Sequence, residues 1–211
     1  MPLTTNILIV GVGGQGIVLA GDVIGLAARL SGLEAKASEI HGMSQRGGSV
    51  VSEVRYGIHV SSPLIPPPGA NFVLAFEMLE ALRGLERMRP GGLVIANRQR
   101  ITPASVTYGS AVYPEDAEEQ LLAACPKAVI IDALAEAKAA GNDRAVNSVL
   151  LGMLAHHTAL PRQNWENALT QTVKPQYIDV NLAAFARGYE RAERNVQRFI
   201  PTISPASEDS R

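Results

Sequence analysis

Residues 6–16 read Asn-Ile-Leu-Ile-Val-Gly-Val-Gly-Gly-Gln-Gly. A short, mostly β-branched apolar run closes directly on a glycine-rich turn. Such a run suits a strand buried on both faces. After the turn, Ile17, Ala20, Val23, Ile24, Ala27 and Leu30 recur at steps of three with a single step of one. That is one apolar face of a helix, and Gly32 supplies its stop. A buried strand, a glycine turn and an amphipathic helix in immediate succession predict the opening of an α/β fold.

The rest of the chain continues the alternation. Strands are expected over 34–40, from 49 to about 56, and over 72–76, 93–96 and 128–131, with another within 105–112. Helices are expected over 77–87 and 115–124, and Pro90-Gly91-Gly92 reads as a turn. The run Pro66-Pro67-Pro68 can only be loop. From Asp132 onward the alternation ends. Segments near 132–140, 145–158, 163–173 and 179–196 all read as helix, separated by Gly141, Pro161 and Pro175. The expectation is a three-layer α/β/α fold with a mostly parallel sheet, a Rossmann-like start and a helical C-terminal third. That third either packs on the sheet or forms an arm for a partner. Residues 1–198 are expected to form one domain and 199–211 a loose tail.

Composition removes several function classes. With 19 basic and 20 acidic residues, no global field attracts nucleic acid or an anionic membrane. Cys125 is the single cysteine, which excludes an internal disulfide and any all-cysteine iron–sulfur or zinc site within this chain. No apolar run approaches the ~20 residues of a membrane span. Met1 to Asn6 carries no basic residue and does not read as a signal peptide. A reduced, cytoplasmic globular protein is expected.

Two loops carry candidate chemistry. Gly11, Gly13 and Gly16 satisfy G-x-G-x-x-G, with Gly14 and Gln15 between them. Glycine lets a ligand approach the backbone closely, and a helix N-terminus offers free N–H groups to an anion. An acid at the end of the second strand, here Glu39, would complete a dinucleotide fingerprint. A tight turn in which the glycines serve packing alone is the competing reading. Gln15 is unusual for a dinucleotide loop, because it puts a long amide on the phosphate-facing turn. The second loop, His41-Gly-Met-Ser-Gln-Arg-Gly-Gly-Ser49, gathers imidazole, hydroxyl, amide and guanidinium groups. In a parallel sheet it leaves the same carboxyl edge, so both loops face one crevice. Arg46 is the natural partner for a phosphate or carboxylate there. Gly47, Gly48 and Ser49 shape the same loop, His41 could serve as acid or base, and Ser44 and Gln45 complete the candidates. The competing reading pairs Arg46 with Glu39 or Glu53.

The pair Gly11-Val-Gly-Gly-Gln-Gly16 and His41-Gly-Met-Ser-Gln-Arg-Gly-Gly-Ser-Val-Val-Ser52 resembles the gamma domain of the 2-oxoacid:ferredoxin oxidoreductases. Within that family it is most similar to the beta subunit of the indolepyruvate branch, which also reads His-Gly-Met. The strand end Ile95-Ala-Asn97 and the segment Asn147-Ser-Val-Leu-Leu-Gly-Met153 match more weakly. The resemblance spans roughly residues 6 to 195. It implies oxidative decarboxylation of a 2-oxoacid on thiamine diphosphate, electron transfer through iron–sulfur clusters to ferredoxin, and acyl transfer to coenzyme A.

This chain departs from what that reaction needs. Gly21-Asp22 is followed by valine inside a helix, so the Gly-Asp-Gly of a thiamine site is absent. The single cysteine cannot hold a cluster. Thiamine diphosphate, Mg2+ and the clusters are therefore expected on a large partner subunit, with coenzyme A as co-substrate, ferredoxin as an indirect partner, and homodimerisation of the isolated chain. A stand-alone NAD(P)- or FAD-binding oxidoreductase and a purely scaffolding subunit are the alternatives.

Asn97 ends a strand at the carboxyl edge and Asn147 lies within a helix, so each serves either the crevice or a structural hydrogen bond. Adjacent His156 and His157 point about 100° apart and do not chelate, so no metal site is expected. Cys125 reads as inert and Trp165 as a packing anchor. Asp179, Arg187, Glu190, Arg191 and Arg194 read as a solvated face.

Overall fold

A computed structural model describes residues 4–41, 48–102, 106 and 112–199, with the side chains of residues 41 and 195–199 excepted. Its six strands are Thr4–Val12 (β1), Glu34–His41 (β2), Ser49–Gly57 (β3), Ala70–Ala75 (β4), Met88–Asn97 (β5) and Val129–Ile131 (β6). They form one sheet in the order β2-β3-β1-β4-β5-β6. β1, β4, β5 and β6 are parallel neighbours. β3 runs antiparallel to both β1 and β2, with Ile7 opposite Val54 and Ala37 opposite Val54 on its other side. The sheet is thus mostly parallel, with β3 reversed and inserted between the first two strands of the glycine-turn unit. β1 and β2 are not adjacent, as a simple Rossmann-like start would have them.

The helices are Ile17–Leu30 (α1), Met78–Gly84 (α2), Ala117–Ala124 (α3), Ala133–Ala139 (α4), Val146–His156 (α5), Arg162–Thr172 (α6) and Ile178–Phe199 (α7). Leu8, Val10, Val73, Ala75, Val94 and Ala96 point to one face and meet α2 and α3 through Met78, Ala81, Ala117 and Leu121. Ile7, Ile9, Leu74 and Ile95 point to the other, where α1, α5, α6 and α7 pack. The alternation is the period of two of a strand covered on both sides. The helical C-terminal third therefore packs on the sheet. Ser148 to Ala155 of α5 are all buried, as expected of a helix lying between the sheet and α7. Gly152 and Gly188 let α5 and α7 touch backbone to backbone. A Cβ on Gly152 would lie 2.0 Å from Phe185 O, and one on Gly188 2.0 Å from Val149 O.

Several local expectations change. Pro90, Gly91 and Gly92 fall within β5 rather than in a turn before it. They form an irregularity against β4, where Ala70 pairs with Met88 but Phe72 with Leu93. Such a bulge is where a strand tolerates proline. The helix expected over 77–87 ends at Gly84 and continues as a 3-10 turn, Leu85–Arg87. The strand expected within 105–112 lies almost wholly outside the described residues, as does the tail from residue 200; Phe199 still belongs to α7. No helix among the described residues is long and apolar enough to cross a membrane.

Candidate functional site

The turn after β1 uses its glycines for different ends. Gly14 and Gly16 have φ of 96° and 75°, where a side chain is strained. Gly11 is needed for space, since a Cβ there would meet Gln15 Oε1 at 2.7 Å and Phe76 Cβ at 2.9 Å. Gly13 N–H donates to Gly48 O at 3.0 Å, which joins the two glycine loops directly. Gly16 precedes α1, whose first turn has no side-chain cap and no acid. The free N–H groups and positive dipole end there favour an anion.

Gln15 lines the cleft over this turn, and its amide is held by the protein itself. Oε1 accepts from Val12 N–H at 2.7 Å, and Nε2 donates to Phe76 O at 3.0 Å and Gln99 Oε1 at 3.2 Å. Asn97 is likewise structural, at 1% exposure. Its Nδ2 donates to Phe76 O and Gln99 Oε1, and its Oδ1 accepts from Ala133 N–H. These amides close the carboxyl ends of β1, β4 and β5 against the start of α4. Asn147 does reach the glycine loop, donating to Gly16 O at 3.0 Å. Ser49 turns away, donating to Glu80 Oε2 at 2.6 Å.

An open cleft of about 420 Å³ lies over the turn, lined by Gly14, Gln15, Gly16, Gln99, Arg144 and Asn147 among others. Gln99 and Arg144 are contributors that sequence reasoning missed. Arg144 is exposed and forms no ion pair among the described residues. Its signal was its place three residues before Asn147, one helical turn back. Ser44, Gln45, Arg46 and Gly47 lie outside the described residues, as does the His41 side chain. His41 at the end of β2 and Ser49 at the start of β3 lie at the same sheet edge as Val12 before the glycine turn. Glu39 sits in β2 opposite Ser52, so the acid of a dinucleotide fingerprint is separated from β1 by a whole strand.

The remaining candidates are elsewhere. His156 and His157 stand edge to face at the far end of α5, 5.3 Å between ring centres. Burial, aided by His156, lowers the His157 pKa to about 4, so that imidazole is neutral at pH 7. Trp165 is fully buried and Cys125 is a buried free thiol. The charged face of α7 is partly structural, because Arg187 binds Glu136 of α4 at 2.6 Å.

Comparison with known proteins places this geometry. The model of the family described as pyruvate ferredoxin/flavodoxin oxidoreductase matches residues 6–191. A protein named indolepyruvate oxidoreductase subunit IorB from Archaeoglobus fulgidus is 41% identical over 191 residues, covering 89% of this chain and 94% of its own. Its namesake from Thermococcus kodakarensis is 38% identical, covering 89% and 96%. Among solved structures, the gamma subunit of a keto/oxoacid ferredoxin oxidoreductase from Geobacter sulfurreducens superposes with a TM-score of 0.67 at 22% identity, over 90% of this chain and 99% of that one. At that identity the likeness shows the fold alone.

Proposed function

Because this chain belongs to the pyruvate ferredoxin/flavodoxin oxidoreductase family, we propose that it is the small subunit of a 2-oxoacid:ferredoxin oxidoreductase acting on indolepyruvate or a related aryl pyruvate. The near-full-length likeness to relatives named for indolepyruvate carries this reading. Neither thiamine diphosphate nor an iron–sulfur cluster fits here. The thiamine residues are missing, and the lone thiol, Cys125, is buried. Both groups belong to a large partner subunit that passes electrons to ferredoxin, in the cytoplasm, while coenzyme A takes the acyl group. This chain completes the active site and the assembly, and forms a homodimer when isolated. The isolated chain is expected to reduce no dye with indolepyruvate, thiamine diphosphate and coenzyme A. Adding the thiamine- and cluster-bearing subunit should start turnover. Dye reduction by the pure chain would refute the division of labour.

The glycine-loop cleft is the part of this subunit that meets an anionic group. That group is a coenzyme A phosphate, the oxoacid carboxylate or the diphosphate region presented by the partner. In the chain Arg46 lies two residues before Gly48, whose carbonyl accepts from Gly13 N–H. Losing one charge-assisted bond costs about 1.5–3 kcal/mol, or roughly 10- to 150-fold in kcat/KM where the bond forms in the transition state. Arg46→Ala in the assembled complex should show a loss of that size, and Arg46→Lys should recover only part of it, because an ammonium cannot replace a planar fork. Wild-type kcat/KM for both oxoacid and coenzyme A in a correctly assembled Arg46→Ala complex would leave scaffolding as the better account.

A further inference from the structure

The amides of Gln15 and Asn97 fix the orientation of a third at the cleft, that of Gln99. A backbone N–H can only donate, so the bond from Val12 N–H identifies the facing atom of Gln15 as its oxygen. The nitrogen of Gln15 must then be the atom that meets Phe76 O and Gln99. Asn97 repeats the logic independently, because Ala133 N–H fixes its oxygen and leaves its nitrogen toward Gln99, at 3.2 Å. Two amide donors thus converge on one atom of Gln99, and that atom has to be Oε1. The backbone of Gln99 is also held, its carbonyl accepting from Met78 N–H at 3.0 Å. Gln99 Nε2 remains, with no acceptor among the described residues, on a half-buried side chain that lines the cleft.

We propose that Gln99 is a binding residue of the cleft, whose side-chain N–H group, locked outward by Gln15 and Asn97, donates to a carboxylate or phosphate oxygen of the bound substrate. A freely turning amide would present either end to a ligand. This one cannot reverse without setting N–H against N–H twice, so it selects acceptors over donors before anything binds. Arg144 on the same cleft wall adds positive charge. Among the described residues Asp143 is the one carboxylate on that wall, and it is exposed. The assignment rests on the function proposed above for its substrate, but not for its geometry.

Gln99→Glu separates this role from a structural one. One glutamate oxygen keeps both bonds from Gln15 and Asn97, while the other replaces the outward donor by an anion. In the complex reconstituted with the large subunit, the KM for one substrate should rise about 10- to 100-fold, with little change in kcat or in the unfolding temperature. A rise for coenzyme A alone identifies a phosphate as the ligand group, and a rise for indolepyruvate alone identifies its carboxylate. Unchanged KM for both, with or without a change in unfolding temperature, overturns the proposal. If the wild-type complex oxidises no 2-oxoacid, or the variant does not assemble, the side-chain amide resonance of Gln99 in the full-length chain decides instead. Movement of that resonance on titration with inorganic pyrophosphate or indolepyruvate supports the assignment, and indifference to both removes it.

Discussion

Gly152→Ala is expected to destabilise the protein by about 3 kcal/mol or more, although alanine is the better helix former. Propensity alone would favour alanine by about 1 kcal/mol. The added methyl, however, would sit 2.0 Å from Phe185 O and 2.9 Å from Tyr189 N, which are backbone atoms of α7 that no rotamer change can move. Overpacking a core ordinarily costs about 1–3 kcal/mol, and this case lies at or beyond the upper end because whole helices must separate. For a chain of this size each kcal/mol is worth about 2–4 °C of unfolding temperature, so the fall should be about 6–12 °C. Gly25→Ala is the matched control. It also lies within a helix, but its new methyl would meet only the mobile end of Arg29, at 3.3 Å. It should be neutral or slightly stabilising. Thermal unfolding of the two variants side by side reads the contrast. A Gly152→Ala protein as stable as wild type would mean that α5 and α7 are not in backbone contact.

Glu77→Ala should cost a comparable amount for a different reason. Glu77 is wholly buried yet well satisfied. Oε2 accepts from Leu79 N–H and Glu80 N–H at 2.8 and 3.1 Å, capping α2. Oε1 accepts from Ile101 N–H at 3.1 Å and from the Tyr113 hydroxyl. Burial and the neighbouring Glu77 carboxylate push the Tyr113 pKa up, so that hydroxyl stays protonated and able to donate. Truncation removes a helix cap, worth about 0.5–2 kcal/mol, and strands two further donors at about 1–3 kcal/mol each. These ranges together span about 2.5–8 kcal/mol, and because Ile101 and Tyr113 are only half-buried the loss should fall in the lower part, at about 3–5 kcal/mol. Glu77→Gln should fall between, because the tyrosine hydroxyl can turn to accept from the new amide but the Ile101 N–H cannot. Urea denaturation measures both. A cost below about 1 kcal/mol for the alanine variant would show that water replaces the carboxylate, and that it does not hold the segment after Gln99 in place.

The helices were the most legible part of the fold. α1 carries an apolar face at the 3.6-residue period, α5 is apolar on all sides, and with Gly32, Gly141, Pro161 and Pro175 as boundaries the observed limits of α1 and α4 to α7 lie close to the expected ones. The reversal of β3 was missed although its signal was present. Residues 42–48 are too few for the crossover that a parallel strand needs, which takes about a dozen residues or more. The site was less legible because its bonds join residues far apart in the chain. Gln15 finds its partners at Phe76 and Gln99, and Gly16 finds Asn147 131 residues on. Nothing local distinguishes a glutamine that faces a ligand from one that staples three strand ends. Of Asn97 and Asn147, both open between ligand and structure, only the second lines the cleft.

The strand inserted between β1 and β2 changes what the glycine fingerprint can measure. In a dinucleotide fold the turn and the acid beyond it act as a ruler, set to the span from pyrophosphate to ribose hydroxyl across neighbouring strands. Here β3 widens that gap from one inter-strand step to two, from about 5 Å to about 10 Å. Glu39 therefore lies beyond the reach of a ribose whose pyrophosphate rests on α1. The spelling G-x-G-x-x-G survives in this chain, but the gauge it belongs to is broken. On the function proposed above, the turn needs only to receive an anionic group of its own size, which can arrive on a larger molecule brought to the sheet edge by a partner subunit.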